Sequence, residues 1–104
     1  MNIRVLGSPS FVKIFKALTD EFIIQQINEA MNFLKEDDNK GNYIDKKPYP
    51  KRYLKHEITN LYRYPISSYR LIYTIKGNKE EKIYLLLDFL THKHYDEIFG
   101  YNTS

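Results

Sequence analysis

The chain has 104 residues, with no Cys and no Trp but with ten Tyr and six Phe. We expect a single domain over residues 1–104, because a chain of this length does not provide for two separate cores. The lack of Cys excludes disulfide scaffolds, Cys-ligated zinc fingers and thiol nucleophiles. The sequence contains no apolar run long enough to predict a signal peptide or a membrane span. We therefore expect a cytoplasmic protein with no membrane partner.

The net charge of +3 is unevenly distributed along the chain. Residues 1–39 carry a net charge of −2, residues 40–70 carry +6, and residues 71–104 carry −1. Eight basic residues of the middle third are interleaved with six Tyr. This mixture is typical of proteins that bind nucleic acid, single-stranded RNA especially. A solvated Lys-rich loop in front of core tyrosines explains the same composition.

The first half of the chain predicts a short strand followed by a helical hairpin. The strand covers residues 2–6, with Ile3 and Val5 on one side. Ser8 and Pro9 then mark a helix start. Two apolar stripes with helical spacing follow. They consist of Phe11, Ile14, Phe15 and Leu18 and, after a break at Thr19 and Asp20, of Ile23, Ile27, Ala30, Met31 and Leu34. We expect two helices, or one bent helix, ended by Asp37, Asp38, Asn39 and Gly41.

The second half predicts a polar loop over residues 39–50 and then three strands joined by tight turns. The strands cover residues 61–66, 69–75 and 82–90, and we expect an antiparallel meander. In the second strand, Arg70 lies on the face opposite Tyr69, Leu71 and Tyr73. In the third, strict alternation places Ile83, Leu85, Leu87 and Phe89 on one face and Tyr84, Leu86, Asp88 and Leu90 on the other.

The last segment, residues 92–100, predicts a short helical turn ended by Gly100. Together these elements predict an α+β fold, with one twisted sheet and the helical hairpin on one face.

Two motifs resemble a known family. Residues 61–73 read LYRYPISSYRLIY and resemble the strand-turn-strand signature of the RelE/ParE superfamily of small bacterial and archaeal toxins. Residues 90–96 read LTHKHYD and resemble the THKEYD ending of the HigB-type toxins of that superfamily. The chain length, the order of elements and the basic middle third agree with it. The resemblance implies a RelE-like twisted sheet with two helices on one face and the active surface on the concave side.

In function, the resemblance implies the toxin of a type II toxin–antitoxin system. The resemblance implies an endoribonuclease of the kind that commonly cleaves mRNA at the ribosome. A partner antitoxin encoded beside it holds it inactive in a toxin–antitoxin hetero-oligomer, and the basic middle third favours an acidic antitoxin. The alternative is a non-catalytic binder on the same scaffold, either a ParE-like inhibitor of DNA gyrase or a degenerate toxin.

Metal-free RNA cleavage requires a group that takes the proton of the ribose 2′-OH and groups that hold the scissile phosphate. Arg70 matches the phosphate-binding Arg of the family's YRL motif, and a guanidinium binds two phosphate oxygens at once. His92 is the candidate acid or base, because imidazole titrates near ~6.5. Lys93 would add positive charge. Tyr95 matches a near-terminal Tyr of the family, and Arg63 aligns with a basic position that is functional in RelE.

Each of these residues has a structural alternative. Arg70 could be a surface residue, His92 a helix cap, Lys93 a solvated side chain and Tyr95 a core residue. Pro65 stands where RelE has a second basic residue.

Two neighbours of His92 are candidate supporting residues. His94 stands where relatives carry Glu. Asp96 repeats the family's Asp and would orient a neighbouring His or Lys, or stabilise the start of a helix. We expect no metal and no cofactor, since Cys is absent and no third His lies nearby. We assign contacts with the RNA backbone to six basic side chains of the middle third, namely Lys46, Lys47, Lys51, Arg52, Lys55 and His56.

Overall fold

The computed structural model describes residues 1–100, which form one five-stranded sheet and four helices. The elements in chain order are β1 (Asn2–Gly7), α1 (Pro9–Ala17), α2 (Glu21–Lys35), β2 (Asn42–Tyr43), α3 (Lys51–Leu54), β3 (Tyr62–Ile66), β4 (Tyr69–Gly77), β5 (Glu81–Thr91) and α4 (His92–Phe99). None of the helices in this range has the length and apolar character needed to cross a lipid bilayer.

The helical hairpin is built as the sequence predicts, as two separate helices. The Ser8 side chain accepts a hydrogen bond from the backbone N–H of Phe11 at 3.2 Å, and Pro9 opens α1. The Asp20 carboxylate accepts from the N–H of Phe22 at 3.0 Å and of Ile23 at 3.3 Å. Each cap satisfies donors that lack a partner inside the helix, so both helix starts are determined locally.

The sheet has the order β1-β5-β4-β3-β2. The strands β3, β4 and β5 form the predicted antiparallel meander. Strand β1 lies at one edge and pairs in parallel with β5, so α1 and α2 belong to the crossover between the two halves of the chain. At the other edge, β2 pairs with the start of β3. This two-residue strand interrupts the segment 39–50, which the sequence predicts as a loop throughout.

One face of the sheet, called here the hairpin face, packs against α1 and α2. Its core contains the apolar stripes of both helices and alternate residues of the central strands. The buried members are Phe11, Ile23, Ile27, Ala30, Leu34, Ile66, Leu71, Tyr73, Tyr84, Leu86 and Phe89. The predicted stripes therefore point to the core, with the strand residues that share their face.

The strict alternation predicted for the third strand is wrong beyond Leu87. Ile72 pairs with Asp88 and Tyr73 with Leu86, so Leu87 is an extra residue with no partner on β4. Leu87 packs on the face opposite the hairpin, whereas Phe89 packs on the hairpin face. This β-bulge shifts the pattern by one residue, because two consecutive positions of the bulged strand face the same way.

The opposite face, called here the second face, is also covered. Residues 44–61, which include α3, fold across it together with α4. Their buried side chains form a second core with those of the sheet, consisting of Ile44, Tyr49, Tyr53, Leu61, Ile72, Leu87, Leu90, Tyr95 and Phe99. The meander strands are therefore buried on both sides, which explains why their sequences are apolar at most positions.

The bulge places a carboxylate in this second core. Asp88 accepts hydrogen bonds from Nη1 of Arg52 at 2.8 Å and from the hydroxyl of Tyr53 at 2.9 Å. The Tyr53 side chain is 2% exposed, so its hydroxyl has little access to water. These contacts join α3 to β5, and burial together with the Asp88 charge raises the pKa of Tyr53 well above its usual value.

Replacement of Asp88 by Ala is expected to lower the free energy of unfolding by about 2–3 kcal/mol, because it leaves the buried Tyr53 hydroxyl without an acceptor. Glu81→Ala is the matched control, since Glu81 on the same strand pairs with Arg4 at 3.1 Å in a more exposed setting. Its expected cost is about 0.5 kcal/mol. Urea denaturation measures both values, and equal costs would contradict a structural role for the Asp88 contacts.

Candidate active site on the second face

Two arginines of the meander lie on the second face. Arg63 on β3 pairs with Ile72, and Arg70 on β4 pairs with Leu90. Ile72 and Leu90 both belong to the second core, and paired residues point to the same side of a sheet. The alternation of β4 therefore places Arg70 as predicted, opposite Tyr69 and Leu71.

The turn between β3 and β4 brings Arg70 close to His92. The backbone N–H of His92 donates to the carbonyl of Ser68 at 2.8 Å, which holds the start of α4 against this turn. Nη1 of Arg70 donates to the carbonyl of Tyr69 at 3.0 Å. Nη2 of Arg70 lies 3.5 Å from Nδ1 of His92. Both partners of this contact are thus positioned by backbone hydrogen bonds.

Asp96 holds the other nitrogen of the same imidazole. Nε2 of His92 lies 3.2 Å from the Asp96 carboxylate, one helical turn along α4. The Asp96 side chain is 15% exposed and that of His92 is 58% exposed. When Nε2 carries the proton and donates to Asp96, Nδ1 has a lone pair that faces the Arg70 guanidinium. The arrangement offers a base on an accessible ring next to a guanidinium, a type of group that can bind phosphate.

Arg63 and Tyr95 form a second pair of contacting residues on this face. Nη1 of Arg63 donates to the Tyr95 hydroxyl at 2.8 Å, and its guanidinium carbon lies 5.7 Å from the centre of the ring. The Tyr95 ring is 3% exposed and packs on Phe99, with 4.6 Å between ring centres. Stacking of a base on Tyr95 would require displacement of this core packing, so its hydroxyl is the part that remains close to the site.

The remaining candidates near His92 are exposed. Thr91 caps α4 by accepting from the backbone N–H of His94 at 3.1 Å, which leaves Lys93 and His94 on the solvent side of the first turn. Pro65 lies directly opposite Arg70 in the register of β3 and β4. The structure therefore forms two groups on this face: Arg70, His92 and Asp96, called here the His92 cluster, and the pair Arg63 and Tyr95. Pro65 puts no cation at its position.

The six basic residues assigned to RNA contacts all lie in the segment that covers the second face, residues 44–61. Arg52 is bound to Asp88, and Nζ of Lys47 lies 5.5 Å from the centre of the Tyr49 ring. The backbone carbonyl of His56 accepts from Nζ of Lys76. Lys46, Lys51 and Lys55 are exposed. The cationic side chains thus divide between the His92 cluster and the α3 region.

Within residues 1–100, no group of three or more His, Asp or Glu side chains is arranged to hold a metal ion.

One contributor to the site is not identified by the sequence. The carbonyl of Ser68 holds the start of α4, and backbone atoms carry no sequence signal. The role of Asp88, which holds Arg52 away from the His92 cluster, was also missed, although a signal exists: Asp88 is the only acidic residue in the otherwise apolar segment 83–90. A charge inside a buried strand indicates a specific partner.

Comparison with known proteins identifies the family. Residues 5–94 match the sequence model of a family described as the ParE toxin of type II toxin-antitoxin system, parDE. Since the match covers most of the chain, the chain belongs to the ParE toxin family, within the RelE/ParE superfamily, and is a toxin of a type II toxin–antitoxin system.

A solved structure has a similar fold. The crystal structure of the archaeal RelE-RelB complex from Pyrococcus horikoshii OT3 contains a chain that aligns with a TM-score of 0.61 and 19% identity. The alignment covers 88% of this chain and 96% of that chain. At this identity the likeness establishes the shared fold. Curated protein sequences give no significant match.

The two interactions of Tyr95 can be separated by substitution. Tyr95→Phe removes the hydrogen bond from Arg63 but keeps the packing on Phe99, so we expect a decrease of about 1 kcal/mol or less in unfolding free energy. Tyr95→Ala also removes the ring and is expected to cost about 3–5 kcal/mol. Chemical denaturation of both variants tests this, and similar decreases would contradict the core position of the ring.

The free energy of unfolding is expected to depend on pH through His56. Burial, followed by the charges of Lys55 and Lys76, lowers the pKa of His56 below its usual 6.5. The unfolded chain then binds the proton more readily than the folded chain. The contribution of His56 to the free energy of unfolding is therefore fully present above about pH 6.5, and it decreases as the pH drops towards the pKa of the folded state. His56→Gln should lack this contribution when unfolding is measured at about pH 7.5 and about pH 5. If the wild type and His56→Gln show the same pH dependence of unfolding, this role of His56 is wrong.

Proposed function

We propose that this toxin is a metal-independent endoribonuclease that cleaves mRNA, with its active site at the Arg70, His92 and Asp96 cluster. The observation that carries the proposal is the placement of a guanidinium and an imidazole 3.5 Å apart at an accessible edge of the second face. Metal-free RNA cleavage requires this pair of groups, one for the phosphate and one for the 2′-OH proton.

The proposed reaction begins with the proton of the ribose 2′-OH. Nδ1 of His92 exchanges its contact with Arg70 for the 2′-OH and accepts this proton, while Nε2 donates to Asp96 and the carboxylate stabilises the imidazolium as it forms. The 2′-oxygen attacks the scissile phosphorus, and the bond from phosphorus to the 5′-oxygen breaks. The products are a 2′,3′-cyclic phosphate and a 5′-hydroxyl.

Charge accumulates on the phosphate during this attack. Arg70 binds two of its oxygens through the planar guanidinium, and this interaction strengthens as the pentavalent phosphate forms. Arg63 provides the second positive charge from β3, held by the Tyr95 hydroxyl. The leaving 5′-oxygen takes up a proton, for which Lys93 and the Tyr95 hydroxyl are the candidate donors. The scheme requires no cofactor.

The basic side chains of residues 44–61 support RNA as the substrate. They cover the same face of the sheet as the His92 cluster, and Lys and Arg bind phosphates with little regard to sequence. The ribosome presents mRNA together with ribosomal RNA, which suits a cationic surface of this kind. We therefore place the activity at the ribosome in the cytoplasm, in agreement with the resemblance of residues 91–96 to HigB-type toxins.

We also propose a cognate antitoxin as partner, acidic and encoded in the adjacent gene. The similar chain from Pyrococcus horikoshii is solved as a RelE-RelB complex, and the present chain has the same fold. The helical hairpin offers exposed apolar side chains, among them Phe22, which is 62% exposed. An acidic segment would in addition find complementary charge along residues 44–61.

A second candidate function is that of a non-catalytic binder, such as an inhibitor of DNA gyrase or a degenerate toxin. Two observations favour it: the matched family model is that of ParE toxins, and Pro65 occupies the position of a basic residue in RelE. Such a binder would not depend on a base next to Arg70.

Cleavage of mRNA distinguishes the two functions. The purified wild type is assayed with and without ribosomes, and it is expected to cut mRNA during translation and to leave cyclic phosphate ends. His92→Ala and Arg70→Ala should each lower the cleavage rate by about 100-fold or more, since each removes a group that acts in the transition state. Primer extension and end-group analysis measure the cuts.

The control is Lys79→Ala, which removes an exposed cation from the turn before β5 and should leave the cleavage rate unchanged. If wild-type protein cuts no RNA under either condition, the endoribonuclease proposal is wrong. If it also inhibits DNA supercoiling by gyrase, and His92→Ala inhibits equally, the second candidate function is correct.

A further inference from the structure

A cavity of about 300 Å³ lies between α1 and the α3 region, away from the turn that holds His92. Its floor is formed by the bulge of β5, with Leu87 and Asp88. One wall comes from α1 and the other from residues 52–56. The basic lining residues are Lys13, Arg52, Lys55 and His56. The sequence does not indicate this cavity, since Lys13 and Lys55 belong to separate segments.

Asp88 fixes the position of Arg52 at this cavity. Nη1 of Arg52 is held at 2.8 Å from the carboxylate, while the Arg52 side chain is still 46% exposed. Nη1 of the guanidinium thus binds Asp88, and the exposed part of the guanidinium can still donate to a ligand. Burial opposes the charged form of Arg52, but the hydrogen bond and charge of Asp88 outweigh it and raise its pKa. Asp88 acts here as a positioning residue for Arg52.

The cavity has a positive charge despite the carboxylate on its floor. Among residues 1–100, Asp88 is the only acidic side chain of the lining, and it is already bonded to Arg52 and Tyr53. Lys13 and Lys55 are exposed at the sides of the cavity, and the Ser10 hydroxyl lines it as well. An anion would therefore meet cations from two separate segments, together with a neutral hydrogen-bonding group.

We propose that this cavity binds a phosphate group, at a site separate from the Arg70 and His92 cluster. Cations that approach from α1 and from the α3 region can each reach a different oxygen of a tetrahedral phosphate, and both Lys and Arg bind phosphate in proteins. The phosphate is either that of an RNA backbone or that of a free nucleotide. The RNA source rests on the proposed function, whereas the phosphate site itself does not.

The test compares two double variants of equal charge. Lys13→Gln with Lys55→Gln removes two cations of the cavity. Lys16→Gln with Lys79→Gln removes two exposed cations elsewhere, one of them on the same helix as Lys13. Both are made together with His92→Ala, so that RNA stays intact. The probes are inorganic phosphate, adenosine monophosphate, a single-stranded oligouridylate and, as the competing carboxylate ligand, an acidic Glu-rich peptide.

Phosphate and the mononucleotide are expected to shift the NMR signals of the His56 ring and the Ser10 amide, whereas chloride at equal ionic strength is not. The cavity variant should lose these shifts, and the control variant should keep them. With RNA as the source, the cavity variant should also bind oligouridylate about 10-fold more weakly than the control. The slope of its affinity against salt concentration should be smaller by about 0.7 for each RNA phosphate that the missing lysines would have neutralised.

The outcomes separate the alternatives. Shifts with phosphate but equal oligouridylate affinities support the site and identify a free nucleotide as its source. Shifts that persist in a protein that cuts no RNA support the site while the endoribonuclease proposal fails. The phosphate proposal is overturned if phosphate and mononucleotide cause no shifts, or if both double variants lose them equally. It is also overturned if the cavity variant loses affinity only for an acidic Glu-rich peptide.

Discussion

The structure depends on the burial of β5 on both of its faces. β5 pairs with β1 on one side and with β4 on the other, while the helical hairpin covers one face and residues 44–61 with α4 cover the second. A strand in this position cannot leave polar groups unpaired, because water does not reach them. The carboxylate of Asp88 satisfies this condition through Arg52 and Tyr53, and in doing so it attaches α3 to the sheet.

The two proposed sites follow from the course of the same strand. At the bulge, β5 forms the floor of the cavity beside α1. At its end, Thr91 caps α4, and His92 comes to lie beside Arg70 without any long connection. Each site thus combines a rigid strand position with side chains from a neighbouring helix or strand. Sites supported in this way maintain their geometry better than sites on loops.

The elements that depend on residues close together in the sequence were predictable. The caps at Ser8 and Asp20, the helical stripes and the meander all depend on short-range spacing. The position of Arg70 on β4 also follows from alternation alone. The bulge at Leu87 was not predictable, because it depends on the register against β4. Residues 44–61 show no period, and their cover of the second face depends on interactions with residues far along the chain.

The parallel pairing of β1 with β5 has a consequence for the time at which the toxin becomes active during its synthesis. The two strands are separated by the whole crossover and meander, so β1 lacks its partner until residues 81–86 have been made. The His92 cluster needs α4 in addition, which comes later still. A nascent chain therefore cannot hold His92 beside Arg70 until α4 has left the ribosomal tunnel and packed on the sheet. The contact between Arg70 and His92 is therefore among the last parts of the described structure to form during synthesis.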